Sequence, residues 1–185
     1  MSFRTVSLGL GLLFSSTSFA GTLDSFTITD GAVSYGEYNI TPEPGRTGYG
    51  YANYVFLSEN MYQNWWWFRG SGFESEFALI NQIYAEASAN HARLVYKENL
   101  SPSPTYALPV LFDFEYTLTQ VDEMASLLQI AFKIENLSNE KVTVDFFSYS
   151  DWDLNGTVID DEQKLVRPNS IRTKQGETYA YTTAS

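Results

Sequence analysis

The chain has no cysteine and a single histidine, His91. A disulfide framework, a thiolate zinc site and a cysteine nucleophile are therefore excluded, and so is any site built on two histidines. Basic residues are scarce, with 11 Lys+Arg against 22 Asp+Glu. That acidic balance argues against nucleic acid, or an anionic membrane surface, as a partner. Long apolar runs are missing too. The best candidate, Val6 to Phe14, is too short to span a bilayer, so no integral membrane segment is expected in the mature chain. No glycine-rich phosphate loop, nucleophile elbow or dinucleotide fingerprint occurs.

What is present begins with an export signal. Residues 1–20 carry Arg4, then the apolar run, then Ser18-Phe19-Ala20 with small residues at the −3 and −1 positions of a cleavage site. Cleavage before Gly21 would remove one arginine and no acid, so the excess of acid over base rises from 11 to 12. The expected location is secreted or periplasmic. Without disulfides, stability there must come from the core, the sheets and any bound metal.

Beyond the signal, period-two alternation dominates. Phe26 and Ile28 alternate with threonines, and Asp30-Gly31 marks a turn. Ala92, Leu94 and Tyr96 alternate with Arg93, Val95 and Lys97. Phe112, Phe114, Tyr116 and Leu118 alternate with Asp113, Glu115, Thr117 and Thr119. Leu128, Ile130, Phe132 and Ile134 repeat the pattern, and Val142, Val144 and Phe146 resume it. Breaks fall at Thr41–Gly45, Gly70–Gly72, Ser101–Pro104 and Asn136–Asn139. Glu74 to Glu86 fits a helix face through Phe77, Ile80 and Tyr84, but its flanks favour strand. Glu177 to Thr183 reads as a last strand. It either pairs back with an earlier strand or belongs to a longer chain. The expectation is an all-β antiparallel sandwich, one domain over 21–185, with each strand turning one face to the core.

Two segments carry a resemblance. Met61-Tyr62-Gln63-Asn64-Trp65-Trp66-Trp67-Phe68-Arg69 is one; the other runs from Ile134 through Asn136 to Phe147-Ser148-Tyr149-Ser150-Asp151-Trp152-Asp153-Leu154-Asn155-Gly156. Over roughly residues 60–160 the chain resembles exported bacterial proteins of the PEP-CTERM-associated type, which are β-rich and accompany exopolysaccharide production. The resemblance implies export and a β fold, and it supplies no catalytic residues. The sorting tail of those proteins is absent, and Pro42-Glu43-Pro44 lies in the wrong place to belong to one.

The stretch Asp151 to Glu162 satisfies the D-x-[DN]-x-[DN]-G-x5-E spacing of a Ca²⁺ loop. Ca²⁺ takes six to eight hard oxygens, and this spacing offers them from Asp151, Asp153, Asn155, Thr157 by its carbonyl, and Glu162. Gly156 holds the sharp-turn position. An extracellular site with Kd on the order of 10⁻⁴–10⁻³ M would be filled. The flanks do not fit an EF-hand, because Lys141 to Ser150 reads as a strand. The competing reading is a bare hairpin centred on Asn155-Gly156. Its register sets Asp151 opposite Asp160, unfavourable by a few tenths to ~1 kcal/mol.

The run Trp65-Trp66-Trp67 is the candidate ligand-binding element. In a strand Trp65 and Trp67 share one face and Trp66 takes the other. One face could present a stacking platform for polysaccharide; the alternative is that all three pack inside. Asp113 and Glu115 lie on one strand face with Cα atoms roughly 6.5–7 Å apart, a spacing glycosidases use, but a solvated polar face gives the same pattern. His91 has no acid or serine partner in view and reads as a hydrogen-bonded residue. The leading expectation is an exported, non-catalytic structural or binding module of the cell surface or extracellular matrix. A carbohydrate-binding domain comes next, and a carbohydrate-active enzyme using carboxylates third.

Overall fold

The computed structural model describes residues 21–41, 50–70, 77–101, 107–156 and 162–184. The export signal, Pro42 to Gly45 of the first break, the 71–76 stretch, Pro102 to Pro104 and Thr157 lie outside the described residues. Among the described residues fourteen strands follow one another in chain order. They are β1 (Ser25–Asp30), β2 (Val33–Tyr38), β3 (Tyr51–Phe56), β4 (Ser58–Glu59), β5 (Gln63–Gly70), β6 (Phe77–Ala78) and β7 (Gln82–Ser88). Then come β8 (His91–Asn99), β9 (Pro109–Gln120), β10 (Ser126–Asn136), β11 (Val144–Asp151), β12 (Glu162–Arg167), β13 (Ser170–Gln175) and β14 (Thr178–Thr183). The only helical turn among the described residues is a 3₁₀ turn at Leu154–Gly156. None of them forms a helix long and apolar enough to cross a membrane.

Two antiparallel sheets pack face to face. One runs β1-β2-β3-β5-β11, with β4 beside β3 and β6 beside β5; the other runs β10-β9-β8-β7. The sandwich expectation holds. Its cause is the alternation read above: Val110, Phe112, Phe114, Tyr116 and Leu118 of β9 all point inward and are fully buried. The rings of Phe112, Phe114 and Tyr116 meet those of Phe26, Tyr35, Trp66 and Phe146 from the opposite sheet at centroid distances between 5.0 and 6.1 Å. Such offset and edge-on pairs add to the burial of apolar area. Glycine is required at the Asp30-Gly31 turn, where Gly31 has φ +58°, and at Gly50, where φ is +66° and a Cβ would collide with the Trp65 ring.

Three details modify the sequence reading. The ambiguous segment, where described, forms no helix: it supplies strand β6 and the start of β7, with Leu79 to Asn81 between them in neither. Strand β14 pairs back onto β13, which with β12 makes a separate three-stranded meander. The apolar stripe of β10 is only half covered, because β10 ends its sheet: Leu128, Ile130 and Ile134 are half-buried and Phe132 is 52 % exposed.

Candidate functional site

Strand β5 is fixed by its register with β11, where Gln63 faces Asp151, Trp65 faces Tyr149, Trp67 faces Phe147 and Arg69 faces Asp145. Residues opposite each other in an antiparallel pair share a face. The odd-numbered side of this pair therefore carries Gln63, Trp65, Trp67 and Arg69 of β5 beside Asp151, Tyr149, Phe147 and Asp145 of β11. At one end Arg69 grips Asp145 at 2.8 Å and lies over the Phe147 ring at 5.6 Å.

The three tryptophans divide differently from a simple platform. Trp66 stacks between Phe114 and Phe146 and donates its indole N–H to the Tyr116 hydroxyl at 3.0 Å. Trp65 is on the other side of the strand by alternation, yet it too is fully buried, edge-on to Tyr96. Neither offers a ring face to solvent. Trp67 alone keeps partial exposure, and it is the diagonal neighbour of Tyr149.

The other end of this surface gathers tyrosines and acids. Tyr38 faces Tyr51, Tyr51 faces Gln63 and Gln63 faces Asp151, so one row crosses four strands. Tyr62 packs edge-on to Tyr51 at 5.5 Å and gives its backbone N–H to the Asp151 carbonyl at 3.0 Å. Tyr62 is 50 % and Tyr149 48 % exposed. The phenol of Tyr62 is pushed above its usual range, first by the neighbouring Tyr51, with Asp151 and Asp153 adding to it. That of Tyr149 is raised by partial burial and then by the same two carboxylates. Two exposed rings and two carboxylates thus feel one another across the end of β5 and β11. A surface of this kind can stack on apolar ring faces and accept hydrogen bonds from hydroxyls.

The proposed cation loop is only partly on view. Asp151 ends β11, Asp153 follows it, and Glu162 opens β12 opposite Lys174 with its side chain in solvent. Thr157 lies outside the described residues. Asn155 is left-handed at φ 59°, a conformation asparagine tolerates. Its amide is occupied: Nδ2 donates to Gln175 Oε1 at 3.0 Å, and Oδ1 accepts from Thr178 Oγ1 at 3.0 Å. Its backbone N–H donates to Asn60 Oδ1 at 3.2 Å. Among the described residues no three acids or histidines converge on one point. The partner positions of the two-residue hairpin, Thr157 to Asp160, lie outside the described residues; on the described side Trp152 and Asp153 are outside any strand, and Leu154 enters the 3₁₀ turn, whose Asn155 side chain bonds to the residues flanking the β13–β14 turn.

The remaining sequence candidates have structural roles. Arg93 pairs bidentately with Asp113, at 2.9 and 2.7 Å, and holds its carboxyl below the usual range; Glu115 lies across from Arg93 and Ala131. His91 opens β8 opposite Ser88 and Thr117. One buried group escaped the sequence reading. Glu37 follows Val33 and Tyr35 on the inward face of β2 and is completely buried. Tyr35 and Tyr116 donate hydroxyl hydrogens to it, the latter at 3.5 Å, and Asn64 Nδ2 donates at 3.2 Å. Burial raises its carboxyl to about 7, against the lowering effect of those donors. A Glu at inward parity in an apolar alternation was the available signal. Tyr51, Tyr62 and Tyr149 also escaped, because register alone brings them together. Compared with protein families, curated proteins and solved structures, the chain matches none.

Proposed function

We propose that this chain is an exported, non-catalytic binding module of the cell surface or extracellular matrix, and that its ligand is a polysaccharide. The observation that carries the reading is the aromatic surface ending in acids: half-buried Trp67 and exposed Tyr149 and Tyr62 beside Asp151 and Asp153. Sugar rings have apolar C–H faces that stack on flat aromatics, and rim hydroxyls that donate to carboxylates. The acidic balance of the chain favours a neutral or cationic glycan over one rich in carboxylates or sulfates.

The test is affinity electrophoresis through gels containing neutral, amino or acidic polysaccharides. Retardation in the first two, weakened by Tyr149→Ala and by Tyr62→Ala, supports the reading. Each lost ring contact of roughly 0.5–1.5 kcal/mol corresponds to a few-fold to about ten-fold weaker binding. Unchanged mobility in every gel removes it. The Ca²⁺ reading of Asp151, Asp153, Asn155, Thr157 and Glu162 has a separate test. A bound ion raises the unfolding midpoint in millimolar Ca²⁺ over that in chelator, and superimposable melts dispose of it.

A further inference from the structure

Among the described residues β10 hydrogen-bonds to β9 alone, so its second edge carries unpaired backbone groups along an eleven-residue strand. Free edges of this length are usually blunted by charge, proline or a bulge. Here there is no proline, and the register with β9 is unbroken from Ser126 to Asn136. The one lysine, Lys133, is already paired with Glu135 of its own strand at 2.6 Å. The inward stripe is exposed as well: Phe132, at centroid distances of 5.0 Å from Phe146 and 6.3 Å from Trp66, closes the seam between the sheets only partly.

The stripe also has a symmetry. Ala131 is the midpoint of β10. Reversing the strand about it sets Leu128 against Ile134 and Ile130 against Phe132, apolar against apolar on the inward face. On the other face Gln129 meets Lys133, Leu127 meets Glu135 and Ala131 meets itself. No like charges stand opposite, and inward residues meet only inward residues. A two-fold axis perpendicular to the sheet requires this parity. The edge is roughly 36 Å long and, at two layers, roughly 20 Å deep. It would bury on the order of 700 Å² per copy, near the ~800 Å² of a standard interface.

We infer that β10 pairs antiparallel with β10 of a second copy of this chain, centred on Ala131, joining two four-stranded sheets into one continuous sheet. The occupant of the edge is a second copy because in this register the strand matches its own hydrophobic pattern on the inward face and sets no like charges opposite each other. The inference does not depend on the polysaccharide reading, since the aromatic surface lies on the other sheet.

The lack of native cysteine gives a direct test. In this register the two Ala131 Cα atoms are about 4.5–5.5 Å apart, within disulfide reach. The two Gln129 Cα atoms are offset by four residues, roughly 14 Å apart, and cannot be bridged. Under mild oxidation the full chain with Ala131→Cys should form a covalent dimer, and the chain with Gln129→Cys should not. Sedimentation of the unmodified chain should give twice the monomer mass at tens of micromolar, with Phe132→Asp shifting it to monomer while the β-type circular dichroism is retained. A monomer throughout, or equal cross-linking at positions 129 and 131, overturns the inference. If Phe132→Asp fails to fold, the cysteine pair still decides it.

Discussion

At the scale of the residue, Glu37 is the group whose chemistry is most altered by the fold. It is buried among Tyr35, Tyr116 and Asn64, with Tyr96 near enough to feel its charge. Its folded value of about 7 stands above an unfolded value of 4.5, so the folded state holds the proton more tightly. Its contribution is fully favourable below pH 4.5, fades as pH rises and is lost above 7. The difference amounts to about 3 kcal/mol. Asp113 acts in the opposite direction, since Arg93 lowers its carboxyl and that stability is lost in acid. Glu37→Gln isolates the first effect: from pH 5 to pH 7.5 the stability of the unmodified chain should fall relative to that of the variant, as read by urea unfolding at each pH. Parallel curves would mean the carboxyl is already ionised or solvated.

Trp66 is the second residue-scale case. It lies between Phe114 and Phe146 and supplies a donor to Tyr116. Trp66→Ala should cost about 3–5 kcal/mol, because a cavity opens in an unyielding aromatic cluster. The loss should exceed that of Trp67→Ala, which removes a half-buried ring. Denaturant midpoints of the two variants order them directly.

At the scale of the element, the 3₁₀ turn at Leu154–Gly156 is the joint between the sandwich and the β12–β14 meander. Asn155 ties Asn60, Gln175 and Thr178 together, and Trp152 Nε1 donates to Thr182 Oγ1 at 3.2 Å. Asn155→Ala removes both amide bonds and leaves alanine in a left-handed conformation. The cost should be about 1–3 kcal/mol. It should be local: limited proteolysis should release residues 162–184 faster while the sandwich melts nearly unchanged. Faster cleavage throughout the chain would show that the meander and the sandwich unfold together.

The elements also show how far a sequence can be read. Strand β9 follows its alternation residue by residue, because β8 and β10 flank it and the opposite sheet covers its inward face. Strand β10 has the same pattern and half the coverage, because it ends its sheet. Periodicity specifies which side chains share a face, not what lies against that face. Trp65 illustrates the same limit: alternation separates it from Trp66, yet the Gly50 approach and the Tyr96 contact help to bury it as well.

At the scale of the whole molecule, charge and the open edge act against each other. Each copy carries a formal net charge of −11, which opposes association, while the self-complementary β10 edge favours it. Salt screens the first and leaves the second intact. The dimer fraction should therefore rise with ionic strength, as measured by sedimentation across a salt series. A dimer that dissociates in salt would point to an ion-paired interface elsewhere.

The sequence by itself determined the all-β class, the inward set of β9 and the turn at Asp30-Gly31, since these depend on neighbours one to three positions apart along the chain. Tertiary structure alone decided that Trp65 and Trp66 join the core and that Glu37 is sealed among tyrosines. It also decided that Tyr51, Tyr62, Tyr149 and Asp151 meet at one end of a sheet. Their proximity is a matter of strand order and register, set by long-range pairing that no local pattern encodes.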